Sequence, residues 1–444
     1  ARCFPFHSSP AVMFSRLSSS VFAGAASRVA LGLGVGIAVT AGSVDTMVRA
    51  DNTRATVEET LRVVKSIQAD LGISDSDAST EKTYSADDNM VRWQPQHKSL
   101  TRKYCTKDVY RKYYDTTTPS GFTFDKVIAP SIDLPMAEGV HIGCVAGDAE
   151  SYATFKDFFD PLIEEYHTYP QDRLHTTDLD YAKLRVPTFP AKYVLSTRIR
   201  AGRSVSGLPL PPAASRAARR ETEDLITTAL GSLEGELAGT YYSLLGMSAE
   251  DNDRLINDHF LYENPDSWTI ASGFGRDWPD GRGIFHNDSK TFLVWINEED
   301  HMRIISMQKG ADVVAVFRRF ADACNAVESS LKSNGAGYAH TPRLGYITTC
   351  PTNLGTGMRA SVHAQLPLLG KIPGFKEYAQ SMGLQIRGKG GEKDMSYTGV
   401  FDVSNRYRLG YSEVQLVQMM LDGLEKLIAL EQKLEAGETV TLQQ

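Results

Sequence analysis

Arg198 and Arg200 lie two apart in Ser196-Thr-Arg-Ile-Arg, a spacing that turns both guanidinium groups to one side of an extended strand. Arg303 follows an acidic cluster at the head of another β-branched run, Arg359 alternates with small residues in Met358–Leu366, and Arg387 opens a glycine-rich stretch. A row of arginines on one sheet face is unfavourable unless anions neutralise it. Phosphates suit the planar fork, which bonds them bidentately. Each arginine taken alone reads better as half of an ion pair with Asp or Glu. Taken together, with glycine-rich segments beside two of them, they point to a polyphosphate site. A second constellation is acidic: Asn297-Glu298-Glu299-Asp300-His301 closes an apolar strand, and Glu392 follows Arg387. Alone, the cluster reads as solvated turn chemistry. Two carboxylates flanking a cationic acceptor, however, would hold it in line with a phosphate, and positioning is the main demand of phosphoryl transfer.

Other chemistries find no support. Gly383-Leu-Gln-Ile-Arg-Gly-Lys-Gly390 nearly matches a phosphate-binding loop, but Gly390 stands where Ser or Thr should meet magnesium, and no parallel strand precedes it. H-E-x-x-H, zinc-type Cys/His clusters, G-x-S-x-G and H-R-D are absent, which argues against metal hydrolases and triad esterases. Five scattered cysteines without a C-x-x-C pair suit a reducing compartment; Cys3, Cys105, Cys144 and Cys324 read as small apolar core residues. The net charge of −7 gives no global basic field for nucleic acid.

These groups need a scaffold. With 444 residues, 42% hydrophobic and 23% charged, the chain can bury a large core in two or three domains. Met13 to about Ala50 is rich in Arg and Ser with Asp45 as its one acid, and its apolar run Val29–Ala41 is shorter than the roughly 20 residues a bilayer span needs. Residues 1–50 therefore read as a transit-peptide-like segment, with a disordered tail or secretory signal as the alternative and residues 1–12 as upstream translation. Residues 51–90 form an arm with one amphipathic stretch, Val57–Leu71. Residues 91–170 are compact and helical, with helices expected over Lys107–Tyr114 and Ser151–Tyr166, and 171–190 is a linker. From 191 to 444 the pattern turns to short strands: Tyr193–Arg200, Thr291–Glu299, Arg303–Met307, Leu344–Cys350, Met358–Leu366 and Thr398–Val403. Helices Asp312–Leu331 and Ser412–Ala436 interrupt them. Strands that follow one another without crossover helices make an antiparallel sheet, so the fold class is α+β: a small helical N-terminal domain and a larger sheet domain flanked by helices.

The same segments resemble the phosphagen (guanidino) kinases, the family of creatine and arginine kinases, from about residue 90 to 436. Cys350-Pro-Thr-Asn-Leu-Gly-Thr356 is the family signature; beside it stand Ser196–Ser204, Asp277-Trp-Pro-Asp-Gly-Arg-Gly283, Val294–His301 and Phe401-Asp-Val-Ser-Asn405. The resemblance implies that Arg198, Arg200, Arg303, Arg359 and Arg387 hold nucleotide phosphates and that His259 lines the adenosine site. Glu299 would grip the guanidinium, and Cys350 would be the reactive cysteine, its thiolate near the cationic nitrogens. It implies direct in-line transfer from ATP carrying magnesium, ADP as the other nucleotide, no prosthetic group and no protein-held metal. Loops around Gly139–Gly147 and Gly388–Tyr397 would close over the reactants.

Acceptor identity is divided. The Asp133–Asp148 loop, which includes Gly139 and Val140, is about one residue shorter than in creatine kinases and resembles taurocyamine and lombricine kinases. Tyr166 and Glu392 resemble arginine kinases instead, although Tyr166 also reads as a core aromatic on a helix stripe. A taurocyamine-like acceptor is the first expectation and arginine the second. An inactive membrane-bridging scaffold and a protein-arginine kinase are alternatives of another kind; the first conflicts with the retained arginines and Cys350, the second with the retained N-terminal substrate domain. The resemblance further implies homodimers or larger oligomers and peripheral contact with a mitochondrial membrane. The expected location is the mitochondrion, otherwise the cytoplasm.

Overall fold

The computed structural model describes Trp93 and residues 97–134, 142–388 and 398–442. The expected leader and arm, with the stretch Val57–Leu71, lie outside the described residues, as do Gly139, Val140 and Glu392.

The first described region is helical: α1 (Leu100–Tyr104), α2 (Lys107–Tyr113), α3 (Phe124–Asp133), α4 (Ser151–Thr154) and α5 (Lys156–His167). Ser99, Thr106 and Thr123 cap α1 to α3, each side chain accepting a backbone N–H three residues on, which satisfies donors that a helix start leaves open. The helix expected over Ser151–Tyr166 is two helices, because Phe155 leaves helical geometry at φ −105° and ψ 37°. That break sets the Phe155 ring 5.3 Å from Tyr113 and 5.4 Å from Phe124, in an aromatic core that also takes Phe158 and Phe159.

The larger region contains β1 (Val194–Arg203), α6 (Arg216–Gly231), β2 (Thr240–Ser243), α7 (Ala249–Asn257), α8 (Ser267–Ala271), β3 (Gly283–His286), β4 (Phe292–Ile296), β5 (Met302–Lys309) and α9 (Val313–Ser333). It continues through a small hairpin, β6 (His340–Thr341) and β7 (Gly345–Tyr346), then β8 (Met358–Gln365), α10 (Phe375–Ser381), β9 (Leu384–Gly388), β10 (Val400–Asn405) and α11 (Glu413–Glu435). Eight strands form one sheet in the order β2-β3-β4-β5-β1-β8-β10-β9, every pairing antiparallel. With the helical first region, this is the α+β arrangement that the strand spacing predicts.

Alternation along the strands sorts the two faces of the sheet. Ile199, Ala201, Val294, Met302, Ile304, Met358, Ala360, Val362, Ile386 and Val403 enter the main core, which α6, α9 and α11 cover. Arg198, Arg200, Arg303, Arg359 and Arg387 take the intervening positions and so face the other way. On that second face, Leu255, Tyr262, Leu293, Trp295 and Ile305 form a smaller core over the β2–β5 half.

Two expectations needed correction. Leu344–Cys350 is a strand only at β7, because its backbone groups find other partners: the Ala146 N–H donates to Thr349 O at 2.8 Å, Tyr152 Oη to Thr348 O at 2.8 Å, and the Thr349 N–H to Asp300 Oδ1 at 2.7 Å. Arg387, expected to open a glycine-rich loop, lies instead within an edge strand, β9.

Candidate active site

β1 hands two guanidinium groups to the face that α9 and α11 leave open, and its neighbours add the others. Arg200 is directly opposite Arg359 of β8, Arg303 of β5 is opposite Gly202, and Arg387 of β9 is opposite Asp402 of β10. Like charges facing each other across strands destabilise a sheet; Asp402 offsets the charge of Arg359, and an anion in the cavity would offset that of Arg200. The surroundings quantify the tension. Burial, then Arg303 and Arg359, lower the Arg198 guanidinium to about 10; burial and the neighbouring Arg198, Arg303 and Arg359 push Arg200 well below its ordinary value. Arg303 moves the opposite way: burial opposes its charge, but Glu298, Glu299 and Asp300 more than compensate. The Trp295 ring lies beneath Arg198 and Arg303, at 5.7 and 5.6 Å from their guanidinium carbons.

The acidic turn between β4 and β5 depends on Asn297. This residue takes φ 54°, a left-handed conformation that Asn tolerates better than most, and is almost wholly buried. Its Nδ2 donates to Arg219 O at 2.9 Å and Gly281 O at 2.7 Å, while its carbonyl accepts from Arg282 Nε at 3.0 Å. The turn so fixed presents Glu298 and Glu299 to Arg303, whose Nη2 is 2.8 Å from Glu299 Oε2 and 3.1 Å from Glu298 Oε2. Asn353 Nδ2 reaches Glu299 Oε1 at 3.4 Å, and Cys350 Sγ is 3.1 Å from Thr352 Oγ1. Burial, with the neighbouring Glu298, raises the Glu299 carboxyl although Arg303 opposes it. Burial, and then Glu299, lifts Asp300 to about 7 and the Cys350 thiol to about 12. Asp300 Oδ2 is buried without a protein hydrogen-bond partner. This acidic, thiol-bearing group is therefore short of positive charge, the complement of the arginine face.

Both groups line one cavity of about 820 Å³, together with helical-region residues Lys98, Leu100, Ile142, Tyr166, His167 and Thr168. Arg200, Arg303, Arg359, Arg387, Glu299, Cys350 and Tyr166 are thus brought together. Arg198 lies beside the cavity, over Trp295, and is not part of its wall. His259 is apart from it: exposed, at φ 61° beyond the end of α7, one residue before the Phe260 carbonyl that accepts from Trp295 Nε1 at 2.7 Å. Tyr166 is 37% exposed whereas Phe158, Phe159 and Leu162 of the same helix are fully buried, so it stands off the apolar stripe. Sequence reasoning passed over Arg406 and Arg408, which line the same cavity. They repeat the two-apart spacing of Arg198 and Arg200 directly after Phe401–Asn405, a signal present in the chain. It also passed over Asp402, whose Oδ2 accepts from Arg359 Nη2 at 3.0 Å, and over Lys98, Asn353 and Trp268 on the cavity wall. Among the described residues, no group of three or more His, Cys, Asp or Glu is placed to hold a metal ion.

Such a site can neutralise a polyphosphate on one side and hold a small cation on the other. Comparison with known proteins gives this chemistry a family. Residues 221–434 match ATP:guanido phosphotransferase, C-terminal catalytic domain, and residues 95–164 match the N-terminal domain of the same family. The chain is 50% identical over 348 residues to the creatine kinase B-type of Gallus gallus, covering 78% of this chain and 91% of that protein. It is 49% identical over 348 residues to the glycocyamine kinase of Hediste diversicolor, covering 78% and 88%. Among solved structures, a lombricine kinase superposes with a TM-score of 0.74 at 45% identity, over 82% of this chain and 98% of that one. The duplicated taurocyamine kinase from Schistosoma mansoni, with bound transition state analog components, gives 0.71 at 43% identity, over 78% of this chain and 48% of that one. The chain belongs to the ATP:guanido phosphotransferase family and is a phosphagen kinase, a transferase that phosphorylates a guanidino nitrogen.

Proposed function

We propose that the chain transfers the γ-phosphoryl group of magnesium-carrying ATP reversibly to a taurocyamine-like acceptor, a short guanidino compound ending in an acid. The observation that carries the site reading is the Arg200–Arg359 pairing with Arg303 beside it, facing the same cavity as Glu299, Asn353 and Cys350. In this reading Arg198, Arg200, Arg303, Arg359 and Arg387 hold the phosphates, and magnesium enters with the nucleotide. Glu299 orients the guanidinium so that one nitrogen attacks the γ-phosphorus. The bond from that phosphorus to the bridging oxygen breaks, ADP leaves with the electron pair, and the nitrogen releases its proton to a carboxylate or to water. Alignment and charge neutralisation supply the acceleration. A guanidinium beside Glu299 would also favour the Cys350 thiolate, reversing the effect of the carboxylates on that thiol.

Support for an acidic tail comes from the helical wall, where Lys98 stands with Tyr166 and Thr168. The similarity to a lombricine and a taurocyamine kinase supports the same class. Arginine is the second reading, favoured by the exposure of Tyr166 into the cavity. We place the enzyme in the mitochondrion, on the strength of the Arg- and Ser-rich leader. A coupled assay across taurocyamine, glycocyamine, lombricine, creatine, arginine and an arginine-rich protein tests the reading. Highest kcat/KM with taurocyamine is the expected result. Highest turnover of arginine transfers the assignment to the second reading, and a dead panel with tight ATP binding indicates a scaffold.

A further inference from the structure

Arg203 ends the strand that carries Arg198 and Arg200 but points away from them, into the main core, and is wholly buried. Its guanidinium lies 3.5 Å from the centre of the Tyr346 ring, and Nη1 donates to Gly202 O at 2.8 Å and to Thr356 O at 2.7 Å. Thr356 closes the segment that begins at Cys350 and includes Asn353. Little room is left: a Cβ on Gly357, which takes φ 60°, would fall 2.8 Å from Gly202 O and 3.2 Å from Arg203 Nη1.

The counter-charge comes from a distant part of the chain. Glu413, first residue of α11 and also wholly buried, brings Oε1 to 3.7 Å from Arg203 Nη2. Its Oε2 accepts the Asp178 N–H at 2.9 Å, and the Val414 N–H donates back to Asp178 O at 3.1 Å. Asp178 belongs to the irregular stretch between α5 and β1, which joins the helical region to the sheet. Arg203 Nε and Nη2 and Glu413 Oε1 have no hydrogen-bond partner. A buried ion pair that leaves several polar atoms unsatisfied is poor stabilisation compared with packed apolar side chains. Its connections suggest a different use. One end grips the segment that carries Cys350 and Asn353; the other grips the connection between the two regions whose residues line the cavity.

We propose that Arg203 and Glu413 form a positioning pair that couples the inter-region connection to the Cys350–Thr356 segment and so sets the alignment of Asn353 and Cys350 with Glu299. The proposal rests on the reading of Glu299, Asn353 and Cys350 as the acceptor clamp. Glu299→Gln on an otherwise unsubstituted chain, assayed over the acceptor panel, tests that reading by itself, because Arg203 and Glu413 are both in place there.

The experiment uses the full chain as R203K and as the double variant R203M/E413Q, in which both charges are removed. Single neutralisation leaves one buried charge unpaired and strongly destabilises, whereas joint removal is tolerated far better. Three properties are read: thermal midpoint, kcat and KM for acceptor and for MgATP, and the rate at which iodoacetamide alkylates Cys350, mapped by mass spectrometry. Among the described cysteines, Cys350 is the one that lines the cavity. The expected result for the folded variants is a kcat about tenfold lower or more, as misalignment at a reacting centre produces, with the KM for MgATP within about twofold and a changed Cys350 alkylation rate. A double variant with unchanged kcat and alkylation overturns the proposal, as does activity lost only in proportion to the folded fraction. If the double variant fails to fold, R203K decides by the same readouts, because it keeps the charge and loses only the fork and its stacking.

Discussion

The two sides of the cavity are built differently. The side proposed to hold phosphate is carried by strands: Arg200 on β1, Arg303 on β5, Arg359 on β8 and Arg387 on β9, with Arg198 of β1 beside the wall, each locked by ladder hydrogen bonds and backed by the main core. The side proposed for the acceptor is carried by turns and helix ends. Glu299 sits on the Asn297 turn, Cys350 and Asn353 border a short 3-10 turn, and Tyr166 lies in the last turn of α5. The similar proteins are named for different acceptors within one ATP:guanido family, and the architecture separates the two demands. Charge for the phosphates sits on rigid elements; selectivity sits where the backbone can change without disturbing the core.

Removing charge from the strand side should have the largest effect and spare no acceptor. Arg359→Ala is expected to lower kcat by about 10²- to 10³-fold, the usual loss for a group that stabilises transition-state charge. Steady-state kinetics over the acceptor panel check this, and a loss confined to one acceptor would break the division. Glu299→Gln should cost about 10²-fold in kcat/KM for the acceptor while nucleotide affinity holds or increases, because Arg303 loses a competing carboxylate. Weaker MgADP binding in a calorimeter would contradict the division from the other side.

The pH profile sharpens it. Glu299 is raised by burial, with Glu298 adding to the rise, and it binds a cation only as the carboxylate. Acceptor kcat/KM should therefore climb with pH through this raised value, and Glu298→Gln should move the climb to lower pH. Lys98→Met is a smaller perturbation, expected to raise acceptor KM about tenfold for acid-tailed guanidines and leave the KM for MgATP unchanged, the loss of one exposed charge contact.

The smallest effect lies away from the cavity. Burial lifts Glu413 from 4.5 to about 7, with Arg203 opposing. A carboxyl raised on folding binds its proton more tightly in the folded state, so its stabilising effect is complete below 4.5 and is lost as pH rises through about 7. The decline in thermal midpoint between those pH values should accordingly be shallower in R203M/E413Q, which lacks the titrating carboxyl, than in the unsubstituted chain.

The main core and its helices were legible as periodicity: Met358–Leu366 alternates apolar with polar, and Ser412 with Gln415 forms the capping box that starts α11. Elements that bury polar side chains, or few apolar ones, escaped notice. α6 buries Arg219 and Thr222 among its few apolar residues, α7 buries only Leu255, and β9 looked like a loop because glycines flank it. Hydrophobic patterning reports transfer from water, so it is silent about a residue buried for its hydrogen bonds.

The order of residues along the chain by itself determined which groups could meet phosphate and which a cation. Residue type and two-residue spacing are local properties, and Arg198–Arg200, Glu298–Glu299 and the Cys350–Thr356 motif carry them without reference to the fold. Only the tertiary structure decided that Arg200 faces Arg359, that Asn353 meets Glu299, that Lys98 and Tyr166 share their cavity and that Glu413 answers Arg203. Those contacts join residues tens to hundreds of positions apart. Register, face and burial arise from the packing of the whole sheet against its helices, and no short stretch of chain contains that information.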